Sequence, residues 1–258
     1  MSHKKIVVII SGQPRFTKLS SKNIRKMLIE RLASFGYDVH LLMNLWSSTS
    51  FDKFNTTLGK ELPPSVLREV QSGLRPCMVE INPSQDFFAC REENKIQVSL
   101  REAPSYESQY LCLCRAAKMA SKYCEEHNFL PSVAIRTRAD LLFLQPLTKE
   151  AVERAENDFL VPNRQGFGWV GSRPPNPWKT MKPWLPDQFW MGPWNQVQKM
   201  CSFHDFWHQG LRVHGDNIEK MLYAFSQGQL FLQQNQHHII LHRSKSHTLQ
   251  WQKAYLFY

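Results

Sequence analysis

The chain has no long hydrophobic run. Across its 258 residues no window approaches the roughly 18 apolar residues that a membrane-crossing helix needs. The short apolar stretch Ile6 to Ile10 ends at Ser11-Gly12, too soon for the core of a secretory signal, and reads as a first strand. A protein that stays in the compartment where it is made, the cytoplasm, is the expectation. Paired zinc-type cysteine spacing is also missing. The six cysteines include Cys112-Leu113-Cys114, a C-x-C inside a helical pattern, and buried reduced thiols are expected. There is no G-x-x-x-x-G-K-[ST] phosphate loop, no G-x-S-x-G elbow and no H-E-x-x-H, so three common catalytic plans are excluded by motif. Internal repeats and low-complexity tails are absent too.

Charge is plentiful but not concentrated. The net charge is +10, from 32 Lys and Arg against 22 Asp and Glu, yet no dense basic block stands out. A stable nucleic-acid partner is therefore not expected. A basic surface equally suits a nucleotide diphosphate, an anionic glycan or a peripheral contact with a membrane surface.

Strand and helix patterns alternate along the chain. Residues 5–10 form a continuous apolar run, a buried strand. Residues 11–15 follow as a turn, and 22–34 as an amphipathic helix closed by Gly36. Residues 38–43 make a second strand, which implies a parallel pair with a right-handed crossover. A short helix is expected at 63–71, a strand at 77–81, and the clearest helix of the chain at 107–126. Strands follow at 132–136, 141–144 and 158–161. The stretch 163–195, rich in Gly, Pro and Trp and without a period, reads as a long aromatic-packed loop. Helices at 188–203 and 216–227 and a strand at 238–242 complete the pattern. The fold class is α/β, a mostly parallel central sheet flanked by helices. One domain spans 1–258, with a first half to about 145 and a second from about 146.

Four places carry candidate chemistry. Ser11, Gly12, Gln13 and Arg15 lie where the first strand ends, the edge at which open α/β sheets bind ligands, just before a helix N-terminus that favours an anion. Arg136-Thr137-Arg138-Ala139-Asp140 interrupts an apolar strand with three charges, which are costly to bury unless they face a ligand or each other. Asp140 suits Mg²⁺ or Mn²⁺, and Arg136 or Arg138 suits a phosphate. An internal Arg–Asp pair is the plain alternative. Asp187-Gln188-Phe189-Trp190, with Trp184 before it, places a carboxylate among aromatic faces able to stack on sugar rings. A Trp-filled mini-core is the alternative there. Last, His242 could complete a metal site and Arg243 could neutralise a departing diphosphate.

In this order, Ser11 to Arg15, Asn44 to Trp46, Tyr106 to Gln109, Arg136 to Leu141 and Asp187 to Phe189 resemble small glycosyltransferases of surface-polysaccharide loci and large DNA viruses. They are similar to the lipopolysaccharide-synthesis WavE-type proteins. The resemblance covers about residues 5–195 and implies a GT-A-like nucleotide-diphospho-sugar transferase fold. It implies a first half that binds the nucleotide-sugar donor and a second half, with the loop 163–195, that binds a glycan or lipid-linked glycan acceptor. It also implies residence in the host cytoplasm if the chain is viral. A D-x-D motif usually holds the metal in that fold, but here the first Asp position is Arg138 and only Asp140 matches.

Carried over by residue, the resemblance puts Ser11, Gly12 and Arg15 at the nucleotide, Asp140 at the metal or the donor ribose and Asp187 near the acceptor; the chemistry of the residues adds Gln13, Arg136, Arg138 and Arg243 to the donor side. Trp184, Gln188 and Trp190 fall at the acceptor, and Asp140 with His242 at a Mn²⁺ or Mg²⁺ ion. Asp187 is the candidate base, with Asp216 or Glu219 behind it, if the reaction inverts the anomeric centre; a retaining reaction needs no such base. The alternatives are a catalytically inactive nucleotide-sugar-binding module and, from charge alone, a basic nucleic-acid-binding protein.

Overall fold

The computed structural model describes residues 3–14, 18–48, 61, 63–87, 89, 103–162, 189–208, 232–235 and 239–241. Strand β1, Lys5–Gly12, is buried along nearly its whole length, as its unbroken apolar run demands. The helix that follows, α1, runs through three contiguous stretches: Lys18–Ile24, a π-helical turn Arg25–Ile29, and Glu30–Ser34. Its buried face carries Ile24, Leu28 and Leu32. Gly36, at φ +88°, supplies the left-handed turn that ends it. Strand β2, Asp38–Trp46, then pairs parallel with β1, as the strand–helix–strand order requires.

Helix α2, Pro64–Leu74, leads to the edge strand β3, Met78–Asn82, parallel to β2. The long helix α3, Ala103–Glu126, then crosses back over the sheet to β4, Val133–Thr137, which pairs parallel with the other side of β1. Helix α4, Lys149–Ala155, is capped by the Thr148 side chain and precedes β6, Phe159–Pro162. Strand β7, Phe189–Gly192, inserts antiparallel between β4 and β6, and β8, Leu232–Asn235, adds parallel to β6. The main sheet thus runs β3-β2-β1-β4-β7-β6-β8. Both halves of the chain contribute strands to it. Helices α5, Trp194–Cys201, and α6, Phe203–His208, close the described part.

Alternation along the strands divides the core between the two faces. Ile6, Val8 and Ile10 of β1 pack with Ile24 and Leu28 of α1, while Val7 and Ile9 pack with Leu113, Ala117 and Ala120 of α3. Each fully buried aliphatic side chain contributes about 1.5–3 kcal/mol, so cover on both faces holds β1 firmly in the sheet. No described helix is long and apolar enough to cross a membrane.

Two expectations are corrected. The stretch 163–195 is not loop throughout, nor is 188–203 one helix: Phe189–Gly192 is a strand inside the sheet, and the helix begins only after Pro193. Phe189, Trp190 and Met191 are all buried, and four apolar residues are too few to show a period. Residues 141–144 also do not continue β4. Strand β5, Leu141–Phe143, leaves the main sheet and pairs antiparallel with β9, Ile239–Leu241. The Asn23 side chain on α1 holds it there, donating to the Phe143 carbonyl at 3.0 Å and accepting from the Phe143 amide at 2.6 Å. The helix expected at 216–227 lies outside the described residues.

Of the described glycines, Gly192 has the closest neighbours. A Cβ placed on it would meet the Phe159 Cα at 3.0 Å and the Asp158 carbonyl oxygen at 3.2 Å, both backbone. Gly192→Ala should destabilise the fold by about 1–3 kcal/mol through overpacking, read as a lower urea midpoint with an unchanged m-value.

Candidate functional site at the carboxyl edge of the sheet

The connections from β1 to β2 and β3 run to one side of β1, and the next, through α3, returns to the other side at β4. Strand order therefore reverses at β1. In open α/β sheets a crevice forms outside the carboxyl ends of the two strands flanking such a reversal. Here those ends carry Ser11, Gly12 and Gln13 from β1 and Thr137 to Asp140 from β4.

Helix α3 is the common attachment for this edge. The Cys112 thiol accepts the Gly12 amide proton at 3.2 Å and lies 3.1 Å from the Asn44 carbonyl oxygen and 3.2 Å from Asn44 Oδ1, to which it donates. Trp46 Nε1 donates to the Ser108 carbonyl at 2.8 Å, and Arg138 Nη1 donates to Gln109 Oε1 at 3.3 Å. Phe189 pairs in register with Thr137. The sequence segments around Ser11, Asn44, Gln109, Arg136 and Phe189 therefore converge at one edge.

A polar web continues outward from Asn44. Its Nδ2 donates to Glu80 at 2.9 Å, and Asn82 donates to Asn44 Oδ1 at 2.8 Å. Arg115 in turn donates to Asn82 at 2.9 Å and to Asp86 at 3.2 Å, with its guanidinium over the Trp46 ring. Cys112, Glu80, Asn82 and Arg115 were missed by the sequence reading. Only the N-x-W string at the end of β2 hinted at this web.

Gly12 sits at φ +112°, a conformation that favours glycine, and among the described residues no atom lies within 4 Å of a Cβ built on it. Beside it, Ser11 Oγ and Gln13 Nε2 are buried and have no hydrogen-bond partner among the described residues. Buried polar atoms are paired in the great majority of cases, so two orphans on adjoining turns of one strand end point to a group from outside. Ser11 is only 2% exposed.

Asp140, also 2% exposed, is engaged from within. Arg138 grips it with a two-pronged bond, Nε to Oδ1 at 2.9 Å and Nη2 to Oδ2 at 2.8 Å, so the internal pair that the sequence left open is formed. Arg136 is fully buried on the α3 face, with its guanidinium 5.1 Å from the centre of the Trp190 ring. It lies beneath the edge and does not face a donor from it. Trp190, expected at the acceptor, is likewise fully buried, against Arg136 and Phe159, and presents no open ring face for sugar stacking. Leu241, the residue before His242, pairs with Leu141, the residue after Asp140. Arg15, Trp184, Asp187, Gln188, Asp216, Glu219, His242 and Arg243 lie outside the described residues. So does Gly166-Phe-Gly168-Trp-Val-Gly171, which has the spacing of a dinucleotide fingerprint but follows β6 and not the first strand. Among the described residues no three His, Cys, Asp or Glu side chains form a metal-binding group.

No family model and no curated protein matches the chain. Among solved structures, the chain is similar to a candidate nucleotide-diphospho-sugar transferase from Desulfovibrio desulfuricans G20. The TM-score is 0.41 at 9% identity, covering 91% of this chain and 80% of that one. At that similarity the comparison carries no argument about activity.

Burial pushes the Cys112 and Cys201 thiols up from 9.0 to about 12, against the pull of nearby Arg136. Between those values the folded thiols keep protons that the unfolded chain releases, so stability falls as pH rises. Each thiol should contribute a slope of about 1.4 kcal/mol per pH unit above pH 9 and none well below it. Urea midpoints at a series of alkaline pH values check this. Cys201→Ala should remove one thiol's share of the slope.

Proposed function

We propose that the chain is a glycosyltransferase that binds a nucleotide-diphosphate sugar across the carboxyl ends of β1, β2 and β4 and transfers the sugar to a glycan acceptor. The observation that carries this reading is the pair of buried, unpartnered atoms Ser11 Oγ and Gln13 Nε2 at the switch point of the sheet. A nucleoside offers the hydroxyl and carbonyl groups such atoms need, and the open space over Gly12 lets the ligand approach the backbone. The resemblance of the five sequence segments to WavE-type transferases supplies the chemistry. Their convergence on one edge supports treating them as one site.

In this reading the donor's nucleoside lies over Ser11 to Gln13, and its diphosphate extends toward Thr137 to Asp140. Helix α3 fixes the distance between these two parts, because the same helix bonds to Gly12 and to Arg138. Asp187 takes the acceptor proton if the reaction inverts, with Asp216 or Glu219 as reserve, and Trp184 and Gln188 position the acceptor sugar. The donor-side residues exclude water on the α3 face by their packing; the acceptor side is assigned from sequence.

The test separates binding from folding. A bound ligand at 100 times its dissociation constant stabilises by about 2.7 kcal/mol, so a thermal-shift panel of UDP-, GDP-, CMP- and dTDP-sugars will show the donor class. Ser11→Ala and Gln13→Met remove polar atoms that the protein itself does not use, so both should leave the melting temperature unchanged or slightly higher. Each should nevertheless weaken donor binding about threefold to tenfold, the worth of one hydrogen bond. Variants that bind the donor as tightly as the parent, or that unfold, would sink the assignment. Release of free sugar or transfer to an acceptor distinguishes an enzyme from a module that only binds.

A further inference from the structure

We infer that the donor's diphosphate is met in this chain by the Arg138 guanidinium and not by a divalent cation, so that donor binding needs no metal. The inference rests on the transferase reading above. The D-x-D motif that the resemblance implies provides two carboxylates one residue apart, and its first position here is Arg138. The remaining carboxylate, Asp140, has both oxygens engaged by that arginine, at 2.9 and 2.8 Å. A cation coordinates a carboxylate oxygen at about 2.1 Å, and the guanidinium already takes one lone pair of each Asp140 oxygen and neutralises the carboxylate's charge. It would have to share that carboxylate with the arginine and lie beside its positive charge. The donor set therefore does not fit a metal.

The sign of the segment agrees. Residues 136–140 hold two arginines and one aspartate, +2 and −1, giving +1. A D-x-D strand end offers a dication two carboxylates; this strand end offers one, with an arginine on either side of Thr137. Neighbouring carboxylates at the edge are likewise engaged, Glu80 by Asn44 and Asp86 by Arg115. The geometry also points the cation outward. Within the pair the Arg138 side chain is 15% exposed and that of Asp140 3%, so an approaching anion meets the guanidinium with the carboxylate beneath it. Asp140 below and Gln109 beside it hold the planar fork in place before any ligand arrives. A preorganised donor of this kind needs little rearrangement to stabilise charge gathering on a leaving diphosphate.

Calorimetric titration of the 258-residue chain with UDP, GDP, CDP, ADP and dTDP, and with the matching monophosphates, tests this in EDTA and in Mn²⁺ or Mg²⁺. The diphosphate that binds should do so within about threefold in all three conditions. The double variant Arg138→Gln/Asp140→Asn removes both charges together, so that neither is left buried alone. It should weaken the diphosphate about tenfold or more while barely changing the monophosphate, as loss of charge-assisted bonds to the second phosphate requires. Arg138→Lys, which keeps the charge and loses the fork, should fall between. Binding that weakens tenfold in EDTA and returns with Mn²⁺ would overturn the inference and leave the transferase reading intact. So would a double variant that still favours the diphosphate as strongly as the parent. No binding of any nucleotide in any condition would overturn both.

Discussion

A sulfur atom holds the ends of two strands to a helix. Cys112 receives the Gly12 amide and directs its own proton to Asn44, so one side chain fixes β1, β2 and α3 at the place where strand order reverses. The arrangement works only while the thiol stays protonated, since a thiolate has nothing to donate. Burial ensures that by holding the group near 12, far above the ordinary thiol. A serine would offer similar bonds with a shorter reach. Cysteine's longer bond and larger radius match a helix lying on top of a sheet.

That anchor explains why distant segments can act together. Ser11 to Gln13 and Arg138 to Asp140 belong to strands separated by more than a hundred residues, and neither β1 nor β4 alone fixes where the loops beyond them go. Helix α3 does, because Ser108, Gln109 and Cys112 occupy successive positions on one side of it and bond to β2, to Arg138 and to β1. A shift of α3 along its axis would change all three distances at once. The orphan atoms on the β1 end and the ion pair on the β4 end therefore share one rigid reference, the condition for gripping both ends of an extended ligand.

Much of this was legible in the residues. The apolar run of β1, the spacing of Ile24, Leu28 and Leu32, and the glycine after α1 each have a local cause, and the parallel pairing follows from their order. The edge chemistry was legible as well, because three charges inside an apolar strand need an explanation. What escaped was tertiary. Phe189 to Gly192 carries no signal that separates a four-residue strand from a packed loop; only the slot between β4 and β6 decides it. Helix α2 ends at Arg75 in the left-handed region, φ 51°, where a glycine would have announced the stop. The role of Cys112 depends on two strands that its own helix says nothing about. Arg136 and Trp190 stand out in the sequence, but that they are buried against each other depends on the pairing of β4 with β7.

The Arg138–Asp140 pair poses a question that stability alone does not answer. A buried ion pair recovers little more than its desolvation cost, and apolar residues of similar size often serve a core better. This pair stands not in a core but at the one edge where the sheet opens, with its cation on the outer side. Its value there is electrostatic: a guanidinium held by a carboxylate cannot fold away when the site is empty, and an anion finds it already oriented. The carboxylate lowers the net charge of the pair but fixes its direction. Arg136 lies on the α3 face of the same strand end, fully buried against the Trp190 ring. On the proposal that this edge binds an anion, the same pair that disfavours a cation would present its guanidinium to the ligand, beside the point where strand order reverses.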